Sequence, residues 1–153
     1  MPALHDSFTL ARTYPHDRAR LYAALAEPEL KKRWYVDHKM RTQAFEMDFR
    51  VGGHERQSYA LGDETPFPGA VIENDGRYED IVEGERIVLS TTMTFGGRRI
   101  SSSLITFEIA EDGAGSKLTL THQAAFYEGA DGSEMRRAGW TQMLDALARS
   151  LAS

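Results

Sequence analysis

The feature that most constrains this chain is a succession of alternating runs, broken by glycine turns and ended by one long amphipathic stretch. In RIVLSTTMTF, Ile87, Leu89 and Met93 fall on one side and Val88, Ser90 and Thr92 on the other. Gly96-Gly97 turns the chain into ISSSLITFEIA, where Ile105, Phe107 and Ile109 share a face. EDGAGS turns it again into KLTLTHQA, with Leu118, Leu120 and His122 set against Thr119, Thr121 and Gln123. A period of two marks half-buried strands, and turns this short join antiparallel neighbours. From Asp131 to Ser153 the period becomes helical, with Trp140, Met143, Leu144, Leu147 and Leu151 in one apolar stripe. Asp131, with Glu134 three residues on, reads as a capping box at its start.

Upstream, SFTLARTY (7–14) reads as the first strand, stopped by Pro15. DRARLYAALAEPELKKRWY follows at helical spacing. Pro28 ends the first helix and a short second turn runs from Glu29 to Trp34. FEMDFRV (45–51) and HERQSYAL (54–61) predict strands two and three, and GDETPFPG a loop. GRYEDIVEG predicts strand four, joined to strand five at Glu83-Gly84-Glu85. Hairpin-linked strands followed by one long helix make an α+β fold. A curved sheet folded around a helix leaves a cavity between the two, where a small ligand would sit.

The chain has 153 residues, the size of one domain, and residues 1–153 are read as such. With 41% hydrophobic and 27% charged residues it has the composition of a globular protein. It has no cysteine, so disulfides and thiolate chemistry are excluded. The start, MPALHDSFTL, carries no signal-peptide pattern, and no run approaches the ~18 apolar residues a membrane helix needs. A cytoplasmic protein is therefore expected, with no membrane partner. The net charge of −5 argues against nucleic acid, which demands a positive surface. Lys31-Lys32-Arg33 and Arg98-Arg99 read as solvated faces.

The stretch DFRVGGHERQSY invites three motif readings. It lacks the third glycine of a dinucleotide loop and the Lys-Ser/Thr of a P-loop. His54-Glu55 is not a zinc-protease signature, because that motif's second histidine would fall on Ser58. The histidines at 5, 16, 38, 54 and 122 show no metal-ligand spacing, so neither metal nor cofactor is expected. No serine sits in a GxSxG elbow, and no catalytic residue is assigned. The glycine pair instead reads as a hairpin turn.

The length of that turn decides which side chains face inward. A two-residue turn pairs Val51 with His54 and aims His54, Arg56 and Ser58 at the core. A bulged turn pairs Val51 with Glu55 and aims Glu55, Gln57 and Tyr59 there instead. Tyr59 as an apolar anchor favours the second register, as does the cost of burying Arg56. Trp34-Tyr35 reads as core packing or as a cavity wall. His122, inward by alternation, is the best candidate for a polar group at a pocket rim.

Five segments, in order, resemble the AHSA1-like branch of the START/Bet v1-type (SRPBCC) superfamily, named after the C-terminal domain of the activator of Hsp90 ATPase. They are DRARLYAALAEPELKKRWY, FEMDFRVGG, GRYEDIVEGERIVLS, LITFEIAEDGAGSKLTLTH and GWTQMLDALARSLA, spread from about Phe8 to Ala152. The resemblance implies a helix-grip: a curved antiparallel sheet around a long C-terminal helix, with two short helices near the start. It implies an interior for a hydrophobic or amphipathic ligand, and it brings no shared catalytic motif. The pattern departs at Glu55 and Gln57, where relatives often carry bulky apolar residues. It departs again in a long 62–75 loop that reads as a lid or an insertion.

The ligand-binding set expected from these readings is Trp34, Tyr35, Phe49, Glu55, Gln57, Tyr59, Met93, Phe107, His122 and Trp140. The leading function is non-catalytic binding of a small amphipathic molecule. A cyclase or hydrolase using Glu55 or His122 as acid/base is the second reading, since burial raises a carboxyl pKa. Third comes a chaperone partner that stimulates an Hsp90-type ATPase or serves a stress response. The sequence leaves the oligomeric state open, a homodimer included.

Overall fold

A computed structural model describes residues 2–36 and 40–153. His38 lies outside the described residues. The elements are β1 (Leu4–Tyr14), α1 (Arg18–Ala26), α2 (Pro28–Tyr35), β2 (Arg41–Met47), β3 (His54–Ala60), β4 (Val71–Val82), β5 (Arg86–Phe95), β6 (Arg98–Asp112), β7 (Gly115–Phe126) and α3 (Ser133–Ala152). All strands form one antiparallel sheet in the order β1-β7-β6-β5-β4-β3-β2. The first strand therefore docks on the last, and α1 and α2 carry the chain to the opposite edge. This is the expected α+β helix-grip, with the sheet curved but not closed.

The curvature has local causes. Register shifts at Thr42/Ala44, Tyr78/Asp80 and Met93/Thr94 each insert a residue into one strand. Such bulges bend a strand and increase its twist. α3 lies in the resulting trough. Its Trp140, Leu144, Leu147 and Leu151 are buried against Leu89, Ile105, Phe107, Leu118 and Leu120 of the sheet and Leu21 and Leu25 of α1. The buried Tyr14 hydroxyl donates to the Leu144 carbonyl at 3.2 Å, and burial pushes that phenol up to about 12, so it remains a donor. Arg12 on β1 pairs with Asp145 on α3 at 2.6 Å.

The short helices start and stop for identifiable reasons. Asp17 caps α1, its carboxylate accepting from the Arg20 amide at 2.8 Å. Glu27 closes α1 and opens α2, with Pro28 at the first helical position, where a missing N–H costs nothing. The predicted capping box on α3 does not form. Gly132 is the cap residue, and Asp131 instead holds Arg136 in a two-point pair at 2.7 and 2.8 Å.

The predicted strand 45–51 is displaced: β2 is Arg41–Met47, and Asp48–Gly53 is the turn. The apolar alternation continues through Phe49 and Val51, but the backbone leaves the ladder. Arg50 N donates to Asp48 O at 2.9 Å and Gly53 N to Arg50 O at 2.8 Å, which leaves Val51 58% exposed. Met47 pairs with Glu55 and Phe45 with Gln57, so neither predicted pairing of Val51 occurs. The parity matches the bulged register, and Glu55 and Gln57 are buried as expected, with Tyr59 half-buried.

The glycines are required at this turn. Gly52 has φ +86°, and a Cβ at Gly53 would collide with the Asp48 carbonyl oxygen. Gly53→Ala is expected to lower stability by about 1–3 kcal/mol in urea unfolding, the range of overpacking substitutions. An unchanged midpoint would show that the turn is looser than drawn.

β4 begins at Val71, five residues earlier than predicted, which shortens the preceding loop to 61–70. Leu61 N bonds Ala70 O at 2.8 Å, and Phe67 packs edge-on to Phe95 at 5.4 Å.

Candidate functional site

Along one side of α3, from Arg136 to Ser153, the trough is not filled. A cavity of ≈ 960 Å³ opens between the concave face of the sheet, α2 and α3. Trp34, Tyr35, Gln57, Tyr59, Met93, His122 and Trp140, all expected at a ligand site, line it. Thr42, Asn74, Thr91, Ile105, Arg136 and Met143 complete much of the wall, with Arg33 and Arg149 among its charged residues. Of the 62–75 stretch only Asn74 lines the cavity, and it is a strand residue; the 61–70 loop joins β3 to β4 and contributes no lining residue.

Three expected residues lie outside the lining. Phe49 packs against Tyr78 at 5.0 Å and Tyr22 at 6.2 Å, because the turn that carries it folds back over the core. Phe107 sits beneath Trp140, ring centroids 5.8 Å apart. Glu55 is turned into the core beside the cavity by an unexpected partner, Lys31.

Lys31 is the main correction to the sequence reading. It is not on a solvated face: it is 2% exposed, and its Nζ lies 2.5 Å from Glu55 Oε2. The Tyr78 hydroxyl donates to the same carboxylate oxygen. Burial, followed by the Glu55 charge, raises the Tyr35 and Tyr78 phenols above their usual range, so both stay protonated beside it. The Lys31 ammonium also stands 4.6 Å from the Tyr35 ring centroid and 5.9 Å from that of Phe107. The spacing Lys31, Trp34, Tyr35 (i, i+3, i+4) puts all three on one helix face, a signal that the reading as a run of charge overlooked.

At the other side of the cavity, Arg136 is held by Asp131 and donates to Ser101 Oγ at 3.0 Å. Its guanidinium lies over the Phe126 ring at 5.2 Å. Next to it His122, 1% exposed, stacks parallel on Phe8 with centroids 4.8 Å apart and planes 5° from parallel. Its Nδ1 is buried without a hydrogen-bond partner. Burial first, and then the Arg136 charge, lower its pKa to about 4, with Asp131 and the residue's own backbone opposing. The ring is thus neutral at pH 7. Gln57 donates to the Tyr35 carbonyl at 3.3 Å and accepts from Asn74 at 3.5 Å, forming a polar strip on β3 and β4. Among the described residues no group of three or more His, Asp or Glu is placed to hold a metal.

The sheet order, the gripped helix and the trough agree with the match to a family model. The model described as activator of Hsp90 ATPase homolog 1-like protein matches residues 15–152. The chain belongs to this AHSA1-like family. Mll3558 from Rhizobium loti is similar over the whole fold, at 37% identity and TM-score 0.87, covering 98% of this chain and 99% of that one. A protein from Rhizobium leguminosarum is similar at 31% identity and TM-score 0.90, covering 98% and 96%. CalU16 from Micromonospora echinospora shares the fold alone, at 21% identity and TM-score 0.63 over 95% of this chain and 75% of that one. No curated protein matches the sequence significantly. No helix of this AHSA1-like chain, among the described residues, is long and apolar enough to cross a membrane.

Proposed function

We propose that this AHSA1-like protein binds a small amphipathic molecule in the cavity between the sheet and α3, without transforming it. The observation that carries the reading is the cavity itself. Its ≈ 960 Å³ lies at the upper end of the about 300–1,000 Å³ usual for small-molecule sites. Its walls combine Trp34, Tyr35, Met93, Ile105, Trp140 and Met143 with the polar Gln57, Asn74, Thr91 and His122 and the charged Arg33, Arg136, Asp145 and Arg149. That mixture suits a ligand with an apolar body and few polar groups.

The catalytic alternative is weaker on one of its two proposed residues. Glu55 is engaged by Lys31 and Tyr78, so it is not the lone protonatable carboxyl that a general acid would be. The reading rests on the cavity and not on the chaperone activity named in the family description.

Native mass spectrometry of protein purified from cells is expected to show a co-purified small molecule. A library of aromatic and lipid-like compounds is expected to contain members that raise the melting temperature. At a hundredfold excess over Kd the gain is about 2.7 kcal/mol, or roughly 5–10 °C for a domain of this size. Met93→Trp, which projects a larger side chain into the cavity, should abolish the shift. No bound species and no shift across the library would overturn the reading.

A further inference from the structure

His122 is a buried polar side chain on the cavity wall that the protein itself leaves unsatisfied. Its ring is fixed by the parallel stack on Phe8. Nδ1 is buried and has no hydrogen-bond partner on another residue. An unmet buried polar group costs about 1–3 kcal/mol, and folded proteins keep few of them. Two buried cations near the cavity are already compensated. Arg136 is held by Asp131 at 2.7 Å and Lys31 by Glu55 at 2.5 Å. A carboxylate or ammonium brought beside His122 would meet Arg136 and Lys31 already paired, with Arg33 and Arg149 the other cations of the lining, and burying a charge at the ring costs several kcal/mol.

Resting on the cavity reading above, we propose that His122 selects a ligand whose buried end carries an uncharged hydroxyl, an alcohol or phenol, on an apolar body. A neutral imidazole has one N–H and one lone pair, and a hydroxyl is both donor and acceptor, so either ring nitrogen is satisfied by it. Depression of the ring's pKa to about 4 keeps the lone pair available at neutral pH. Tyr35, Met93 and Trp140 supply the apolar surface around the rest of the ligand. A hydroxyl read by an otherwise unpaired buried group is also the kind of feature that gives strong discrimination against the analogue lacking it.

The test uses three probes of nearly equal shape at pH 7: 2-naphthol, 2-fluoronaphthalene and 2-naphthoate. Calorimetric titration of the whole chain is expected to give 2-naphthol about a tenfold advantage over 2-fluoronaphthalene, with 2-naphthoate weakest. In His122→Phe the advantage, read as the ratio of the two neutral probes' affinities, should shrink to within about twofold. His122→Asn, which restores an acceptor, should recover part of it; if the Phe variant does not fold, the ring ¹⁵N readout in wild type carries the test. In wild type, the ring ¹⁵N resonances of His122 should move with 2-naphthol and not with 2-fluoronaphthalene.

Equal binding of the two neutral probes, a preference for 2-naphthoate, or an advantage that survives both substitutions would overturn the inference and leave the cavity reading standing. Absence of all three from a cavity that still holds a co-purified species would do the same. Absence of the probes and of any co-purified species would remove both.

Discussion

Glu55→Ala is expected to cost the fold about 3–5 kcal/mol, the penalty for leaving one member of a buried ion pair uncompensated. The variant strands the Lys31 ammonium, 2% exposed, beside the Tyr35 and Phe107 ring faces. It also leaves the Tyr78 hydroxyl without its acceptor. Because Lys31 is on α2, Glu55 on β3 and Tyr78 on β4, the loss falls on the attachment of helix to sheet. The informative companion is the double substitution Lys31→Met with Glu55→Leu. Replacing both charges by apolar groups of similar volume is often neutral or stabilising, so the double variant should recover most of the loss. Urea unfolding of the two singles and the double measures the cycle. A cost below about 1 kcal/mol for Glu55→Ala would mean that water reaches the pair and that the burial described above is wrong.

Acidification should destabilise the protein through His122 before most carboxylates respond. In the unfolded chain this imidazole titrates near 6.5, whereas in the fold burial and Arg136 hold it at about 4. Between those values the unfolded chain binds more protons, so stability is complete above pH 6.5 and drains away as the pH falls toward 4. The groups that bear on the ring are Arg136 and Asp131, both at the start of α3. From pH 7 to pH 4.5 the contribution lost is about 2–3 kcal/mol. His122→Phe has no such proton to bind, and its stability should fall less over the same interval by about that amount. Parallel slopes for wild type and variant, measured by urea unfolding at both pH values, would refute the assignment.

The fold was legible where alternation and turn chemistry agreed. β5, β6 and β7 follow their apolar alternation and their glycine turns, and α3 follows its stripe. β2 was misplaced because alternation alone does not say where pairing stops. Phe49 and Val51 continue the pattern, yet Asp48 and Arg50 bond locally and end the ladder. The inward aim of Glu55 and Gln57 survived this error, since a shift by an even number of residues preserves the face.

The candidate site was legible in its aromatic wall and in His122, and hidden in its charges. Lys31 shares a helix face with Trp34 and Tyr35, but only the sheet register reveals the carboxylate waiting for it. Arg136 is four residues before Trp140, on the buried face of α3, and its partner Asp131 was read as a cap. Pairings across 24 residues of chain are not visible in local pattern.

The shared residue between α1 and α2 has a consequence for what the cavity admits. With Glu27 ending one helix and beginning the next, no residue separates them, and Lys31 clips the pair to the sheet as a bracket. A bracket of that kind does not swell to follow its contents. Under the binding role proposed above, affinity along a ligand series is expected to climb with chain length until the ≈ 960 Å³ interior is full, and then stop.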